Sequence, residues 1–113
     1  MLYFYNMSTE SDEDKIFKAL AAPIRRRMLD LLKNDPQTTG ALCAAFPDLD
    51  RCTVMQHLGI LEEADLVIAV RRGRERWNHL NALPIRDIHE RWIGPYAAFA
   101  ADKLAILKAG LEG

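Results

Sequence analysis

Residues 51–80, RCTVMQHLGILEEADLVIAVRRGRERWNHL, decide the fold, because the spacing of their apolar residues changes halfway along. The first half follows the period of a helix, and its packing side carries Val54, His57, Leu58 and Leu61. The second half is β-branched and turns at Gly73. The sequence therefore predicts a helix over about 51–64, followed directly by a two-stranded hairpin over about 66–80.

Two helices are predicted near the start of the chain. The first begins after Ser11, and its apolar residues follow helical spacing: Ile16, Phe17, Leu20 and Ala21. The second begins at Pro23, a residue that suits the first turn of a helix. Its core-facing residues are predicted to be Ile24, Met28, Leu31 and Leu32, and its outward-facing residues Arg25, Arg26 and Asp30.

A short third helix, GALCAAF, is predicted between these helices and the helix over 51–64. Thr38 or Thr39 supplies its N-terminal cap, and Asp50 caps the helix that follows. The tight segment PDLD separates the two. Two short helices joined by a tight turn are the layout of a helix-turn-helix.

The chain returns to helical spacing at Pro84, and Gly94 and Pro95 are expected to break or kink this last helix. The predicted fold class is therefore mainly α with a small β hairpin. A helix-turn-helix followed at once by a hairpin is the winged helix-turn-helix arrangement, here with helices 1 to 4, a two-stranded wing and a long or kinked C-terminal helix.

Length and composition fit one small domain, since half of the 113 residues are apolar. We expect residues 1–10 to be a flexible tail and residues 11–113 to form the single domain. The net charge is only −1, but arginines cluster at 25–27 and 71–76. No apolar run reaches the roughly 20 residues that span a bilayer, and no signal peptide is evident, so a cytoplasmic location is expected.

Four segments carry a resemblance to a known family: KALAAPIRRRMLDLL, TTGALCAAF, VMQHLGILEEADLV and RRGRERWNHL. They resemble successive blocks of the ArsR/SmtB family of bacterial winged-helix repressors. Asp65 stands where that family commonly has glycine, and aspartate tolerates the left-handed backbone conformation better than most residues. The resemblance implies a homodimeric transcriptional repressor that binds near-palindromic operator DNA.

The resemblance also implies which residues meet DNA. Thr39, at an exposed helix N-terminus, is expected to contact phosphate. The recognition helix is expected to present Arg51, Thr53, Met55 and Gln56 to the base edges. Arg72 and Arg74 flank the wing tip and are expected to contact phosphate or the minor groove, whereas Arg76 is expected to stack or pair within the fold.

The terminal helix is richer in large apolar residues than one small core requires. This surplus predicts a homodimer interface, in which the first helix is expected to take part. The predicted interface residues are Phe17, Leu20, Trp92, Tyr96, Phe99, Leu104 and Leu107.

No metal or other cofactor is expected, because each of the two metal sites known in the ArsR/SmtB family has only half of its ligands in this sequence. Cys43 matches the first thiol of one site, but Ala45 replaces the second. Asp87 and His89 match half of the other site, and Lys103 falls in its second half. Two ligands are too few for zinc. An enzyme is not expected either, since the sequence has no phosphate-binding loop and no nucleophile with its base.

Two alternatives use the same fold. Cys52 lies in the first turn of the recognition helix beside an arginine, a setting that favours a reactive thiolate. Its oxidation would place a bulky group against DNA, so one alternative is a redox- or ligand-responsive sensor that uses Cys52 or an unrecognised site. The second alternative is a winged helix that binds proteins, because fold does not fix function.

Overall fold

The computed structural model describes residues 11–112 and confirms the predicted winged helix-turn-helix order. The helices are α1 (Asp12–Leu20), α2 (Pro23–Leu32), α3 (Thr39–Ala45), α4 (Arg51–Glu63), α5 (Leu83–Ile88), a π-helical turn (His89–Ile93) and α6 (Gly94–Glu112). The strands are β1 (Gln37–Thr38), β2 (Val67–Arg72) and β3 (Glu75–Leu80). The tail predicted over residues 1–10 lies outside the described residues.

Three helices begin at side-chain caps. Ser11, Thr38 and Asp50 each accept a hydrogen bond from the backbone N–H three residues further on, at 3.1, 3.1 and 2.7 Å. These caps start α1, α3 and α4, so the capping predictions are confirmed for Ser11 and Asp50, and Thr38 is the cap of α3. Hydrogen bonds from Thr53 hold the pKa of Asp50 below its usual value, so the cap is ionised at neutral pH.

The core lies between α1, α2, α3, α4 and the base of the hairpin. Its largest fully buried residues are Met28, Leu42, Val54, Leu58, Leu61, Leu66 and Asn78. The packing side predicted for α4 is therefore confirmed. In α2 the prediction is wrong at one position, because Leu31 is 40% exposed and the buried residue is Leu29.

The outward position predicted for Arg25 is also wrong. Arg25 is buried, and its guanidinium donates to the carbonyls of Ala19 at 2.8 Å and Lys18 at 2.9 Å. The last carbonyls of a helix have no partner within that helix. Because α1 ends beside Arg25, this side chain turns inward and donates to two of these carbonyls, of which that of Lys18 also accepts from the N–H of Ala21.

The sheet has three antiparallel strands in the order β1-β3-β2, so β1 adds a short third strand to the predicted hairpin. Two residues are too few to show an alternating pattern in the sequence. The hairpin turns at Gly73, which has a φ of +63°, and α4 leads into β2 through Asp65, which has a φ of +60°. Asp65 therefore adopts the left-handed conformation expected of it.

The break predicted at Gly94 and Pro95 does not occur, since the chain stays helical from Leu83 to Glu112. The irregularity is the π-helical turn just before them, in which the N–H of Gly94 donates to the carbonyl of His89, five residues back. Pro95 has no N–H to donate, and the wider turn accommodates it at the start of α6.

Gly94 is required by this turn, and we predict that Gly94→Ala destabilises the protein. A Cβ at this position would lie 2.9 Å from the carbonyl oxygen of His89. We expect a loss of about 1–3 kcal/mol in the free energy of unfolding, measured with urea. The control is Gly59→Ala in α4, where a Cβ meets nothing within 4 Å and helix propensity gives a gain of up to about 1 kcal/mol. Equal stability of the two variants would contradict the prediction.

Candidate nucleic-acid interface

A concave cleft lies between the N-terminal ends of α3 and α4 and the helix-facing side of the wing. Its volume is about 360 Å³. Its lining residues are Thr38, Thr39, Gly40, Arg51, Met55, Arg71, Arg74, Glu75 and Arg76. Four of these are arginines and one is an acid, so the cleft concentrates positive charge in a chain whose net charge is −1. We refer to it as the arginine cleft.

The first two turns of α4 form one side of the arginine cleft. Arg51 and Gln56 are exposed, whereas Thr53 and Met55 are half-buried, and Met55 also packs against the core. Of the four predicted recognition residues, Arg51 and Gln56 are therefore the best placed to reach a ligand, because their polar side chains are long and exposed.

The exposed position predicted for Thr39 is wrong. Thr39 is 3% exposed, and its hydroxyl accepts a hydrogen bond of 3.2 Å from the side-chain amide of Asn78. The cause is a shift of one residue, because Thr38 is the cap and Thr39 is the first residue inside α3. One residue rotates a side chain by about 100° around a helix, which turns Thr39 from the surface into the core.

The wing arginines divide between the two faces of the hairpin. Directly paired residues share a face, and Arg71 pairs with Arg76 on the face that also carries buried Val67 and Asn78. Arg71 therefore lines the arginine cleft together with Arg74 near the turn. Arg71 was not singled out from the sequence, although strand alternation points to it once Val67 is known to face inward.

Arg72, a predicted DNA contact, lies on the other face of the hairpin. Its guanidinium carbon is 5.9 Å from the centroid of the Trp77 ring, a cation–π distance. The stacking role was expected of Arg76, and the structure gives it to Arg72 instead. The reason is again alternation, since neighbouring residues of a strand point to opposite faces.

Arg76 pairs within the fold, which is one of the two roles expected of it. Its guanidinium forms an ion pair with the carboxylate of Glu62 in α4. Its Nε also donates to the side-chain oxygen of Asn78 at 3.2 Å. Arg76 therefore lines the arginine cleft with its charge already compensated by a neighbouring helix.

Asn78 is a buried polar residue that the sequence reasoning missed. It is fully buried, and its amide nitrogen donates to the carbonyl of Gln37 at 3.1 Å and to the hydroxyl of Thr39 at 3.2 Å. A single asparagine in a strand gives no sequence signal of burial, because its partners lie about 40 residues away in β1 and α3.

The recognition helix is anchored from behind by His57. A guanidinium cannot accept a hydrogen bond, so Arg25 donates to Nδ1 of His57 at 3.1 Å, and the imidazole is neutral with its proton on Nε2. Burial, and then the charge of Arg25, lower the pKa of His57 from its usual 6.5.

This arrangement predicts a loss of stability in mild acid. The unfolded chain takes up a proton on His57 near pH 6.5, whereas the folded chain resists it to lower pH. The free energy of unfolding therefore falls as the pH drops below about 6.5 and is unaffected by this group above it. We expect His57→Gln to show a smaller loss between pH 7.5 and 5 in urea titrations. Parallel curves for the two proteins would show that His57 has no part in the loss.

Six of the seven predicted interface residues lie on a large exposed apolar surface, whereas Leu20 is half-buried and packs against the core. The ring of Trp92 lies 6.0 Å from that of Phe17 and 4.9 Å from that of Tyr96, which connects α1 to the C-terminal helix through an aromatic row. No residue of α6 is buried. Its exposed large side chains are Tyr96, Phe99, Leu104, Ile106, Leu107 and Leu111. Two of these, Ile106 and Leu111, are not among the predicted interface residues, although they follow the same helical spacing.

The residues of the two partial metal sites do not converge. Among residues 11–112 no three His, Cys, Asp or Glu side chains are arranged to hold a metal ion. Asp87 and His89 are exposed, Cys43 is a half-buried free thiol and Cys52 an exposed one. The exposure of Cys52 is what the redox alternative needs.

The sequence is similar to known transcriptional regulators. Residues 20–70 match a family described as a helix-turn-helix domain. The transcriptional repressor SdpR of Bacillus subtilis (strain 168) is 32% identical over 74 residues, which are 66% of this chain and 81% of SdpR. No helix within residues 11–112 has the length and apolar character needed to cross a membrane.

Solved structures show the same fold. The crystal structure of an ArsR family transcriptional regulator matches with a TM-score of 0.71 and 28% identity, over 80% of this chain and 91% of that one. An ArsR-like transcriptional regulator from Rhodococcus sp. RHA1 matches with a TM-score of 0.71 at 24% identity, over 95% of this chain and 96% of that one. The second likeness covers nearly the whole chain and shows the fold.

Proposed function

Because the chain belongs to the ArsR-type winged helix-turn-helix transcriptional regulators, we propose that it is a homodimeric repressor of near-palindromic operator DNA. The helix-turn-helix makes it a DNA-binding regulator, and its relatives are regulators and not enzymes. The arginine cleft beside α4 is the observation that carries the proposal. Its surface combines the first turns of α4 with arginines that attract phosphate.

In this proposal α4 enters the major groove. The groove is about 12 Å wide, close to the roughly 10–12 Å diameter of a helix with its side chains. Arg51 and Gln56 read base edges, because arginine makes paired hydrogen bonds with guanine and glutamine does so with adenine. The half-buried side chains of Thr53 and Met55 project less far from α4 and contact only the nearest bases. Met55 is placed to touch a thymine methyl.

The wing grips the DNA backbone or the minor groove next to the site that α4 reads. Arg71 and Arg74 supply this contact from the arginine cleft, and the Gly73 turn lets the tip approach closely. Arg72 extends from the other face of the hairpin and makes at most an outlying contact. Contacts of this kind give affinity and orientation but little sequence choice.

Two copies of the chain pair through the aromatic row and the apolar side chains of α6. An exposed apolar surface of this extent marks an interaction site. A two-fold dimer places two recognition helices in successive major grooves, roughly 34–36 Å apart, which requires a near-palindromic operator. The repressor sense of regulation is taken from the similarity to SdpR, and we place the protein in the cytoplasm with no required metal or cofactor.

A salt titration of binding to the DNA that flanks its own gene tests this function. Binding should be saturable at physiological salt. The logarithm of the association constant should fall steeply and linearly with the logarithm of the salt concentration. A winged helix that binds proteins instead would show no saturable DNA binding under these conditions.

A further inference from the structure

We infer that Glu62, Arg76 and Asn78 form a polar clamp that sets the position of the wing relative to α3 and α4. Arg76 is then a positioning residue and not a DNA contact, although it lines the arginine cleft. This inference rests on the proposed DNA-binding function, and it names the residues that hold the binding surface in shape. We call these three residues the wing clamp.

The wing clamp joins three parts of the fold. Arg76 in β3 binds the carboxylate of Glu62, which lies in the last turn of α4. Its Nε donates to Asn78 at 3.2 Å, and Asn78 in turn donates to Thr39, the first residue of α3. One chain of hydrogen bonds therefore runs from the recognition helix through the wing to the helix before it.

Arg76 lies in the outer half of the hairpin, near the turn and away from the core. The hairpin is fixed to the core at its base, where Val67 pairs with Leu80, and Arg76 lies next to the residue that opens β3 at the turn. The third strand, β1, pairs with β3 only at Asn78 and Trp77, so the wing beyond Trp77 has two strands, which are marginally stable without packing on one face. The ion pair holds the outer half of the wing against α4, so that Arg71 and Arg74 face the same ligand as Arg51.

The bonding of Arg76 also limits what else it can do. Its side chain is 22% exposed and that of Glu62 is 34% exposed, so both are partly removed from water. Pulling the guanidinium onto a phosphate would leave Glu62 unpaired beside a polyanion, and it would remove the donor from the oxygen of fully buried Asn78. A buried polar group without its partner costs free energy.

The alternative role of Arg76 makes the opposite prediction for Glu62. If Arg76 held a phosphate, Glu62 would compete with DNA, and Glu62→Gln would bind DNA more tightly. If the wing clamp positions the wing, Glu62→Gln weakens binding even though it removes a negative charge. The sign of the change separates the two roles.

The experiment measures DNA affinity and its salt dependence for Glu62→Gln, Arg76→Gln and the exchange Glu62→Arg with Arg76→Glu. Each single variant should bind about fivefold more weakly, the upper range for a partly exposed ion pair, with an unchanged salt slope. The exchange restores the ion pair but not the bond from position 76 to Asn78, so it should recover part of the loss. The control is Glu63→Gln, an exposed neighbour with the same change of charge, which should not weaken binding. Equal or tighter binding by Glu62→Gln, or a salt slope lowered by about one in Arg76→Gln, would overturn the inference.

A measurement without DNA keeps the wing clamp separate from the proposed function. Amide hydrogen exchange in β2 and β3 should accelerate in Glu62→Gln and Arg76→Gln, while exchange in α2 stays at the native rate. Native exchange throughout the wing would also overturn the inference. If the native protein bound no DNA, the proposed function would fail, and the exchange rates alone would decide the clamp.

Discussion

Replacing Arg71 and Arg74 together with alanine should weaken binding to all DNA sequences by roughly 50-fold at 0.1 M salt. Both side chains line the arginine cleft, and each is proposed to neutralise one phosphate. Losing two phosphate contacts lowers the slope of log affinity against log salt by about two. Preference among operator variants should stay the same, because backbone contacts carry little sequence information.

The neighbouring arginines provide a matched comparison. Arg71 and Arg72 are adjacent and chemically identical, but they lie on opposite faces of the hairpin. Arg71→Ala alone should lower the salt slope by about one, whereas Arg72→Ala should leave it almost unchanged. A loss confined to Arg72→Ala would show that the outer face of the wing meets the DNA.

Placing a charge on the apolar side of α6 should separate the two copies of the proposed dimer. Leu107→Glu would bury an unpaired carboxylate between the chains, at a cost of about 3–5 kcal/mol, or at least about 100-fold in the dimer dissociation constant. Operator affinity should fall with it, because a monomer binds one half-site only. Sedimentation velocity and DNA binding measure the two effects on the same sample.

The control for this variant is Ala109→Glu. It adds the same charge two residues along α6, which is about 200° around the helix and away from Leu107. Ala109 is exposed and lies among the small residues of that side. This variant should stay dimeric and bind DNA. If Leu107→Glu also stayed dimeric, the interface would lie elsewhere.

The sequence predicts the elements of this fold better than it predicts the environment of single side chains. The helix over 51–64 and the hairpin were foreseen because the change of apolar spacing is local to that segment. Arg25 was placed outside, since the carbonyls that attract it belong to another helix. Thr39 was placed on the surface because a shift of one residue in the cap rotates its side chain into the core.

The candidate site was predicted in part for the same physical reasons. The arginine-rich wing and the start of α4 do meet in one cleft, and Arg51, Met55 and Arg74 line it as predicted residues. The sequence predicts a DNA contact for Arg72 and not for Arg71, whereas Arg71 lines the cleft. A run of arginines does not show which face of the strand packs inward. The partners of Asn78 are distant in sequence, so only the folded structure identifies the wing clamp.

The most direct test of the central claim is footprinting of the DNA that flanks the gene, with the purified native chain at physiological salt. We expect saturable protection of two related half-sites whose centres lie about one helical turn apart, or a multiple of it. Protection that never saturates, or that covers a single half-site with no related neighbour, would contradict a homodimeric repressor that reads operator DNA through α4.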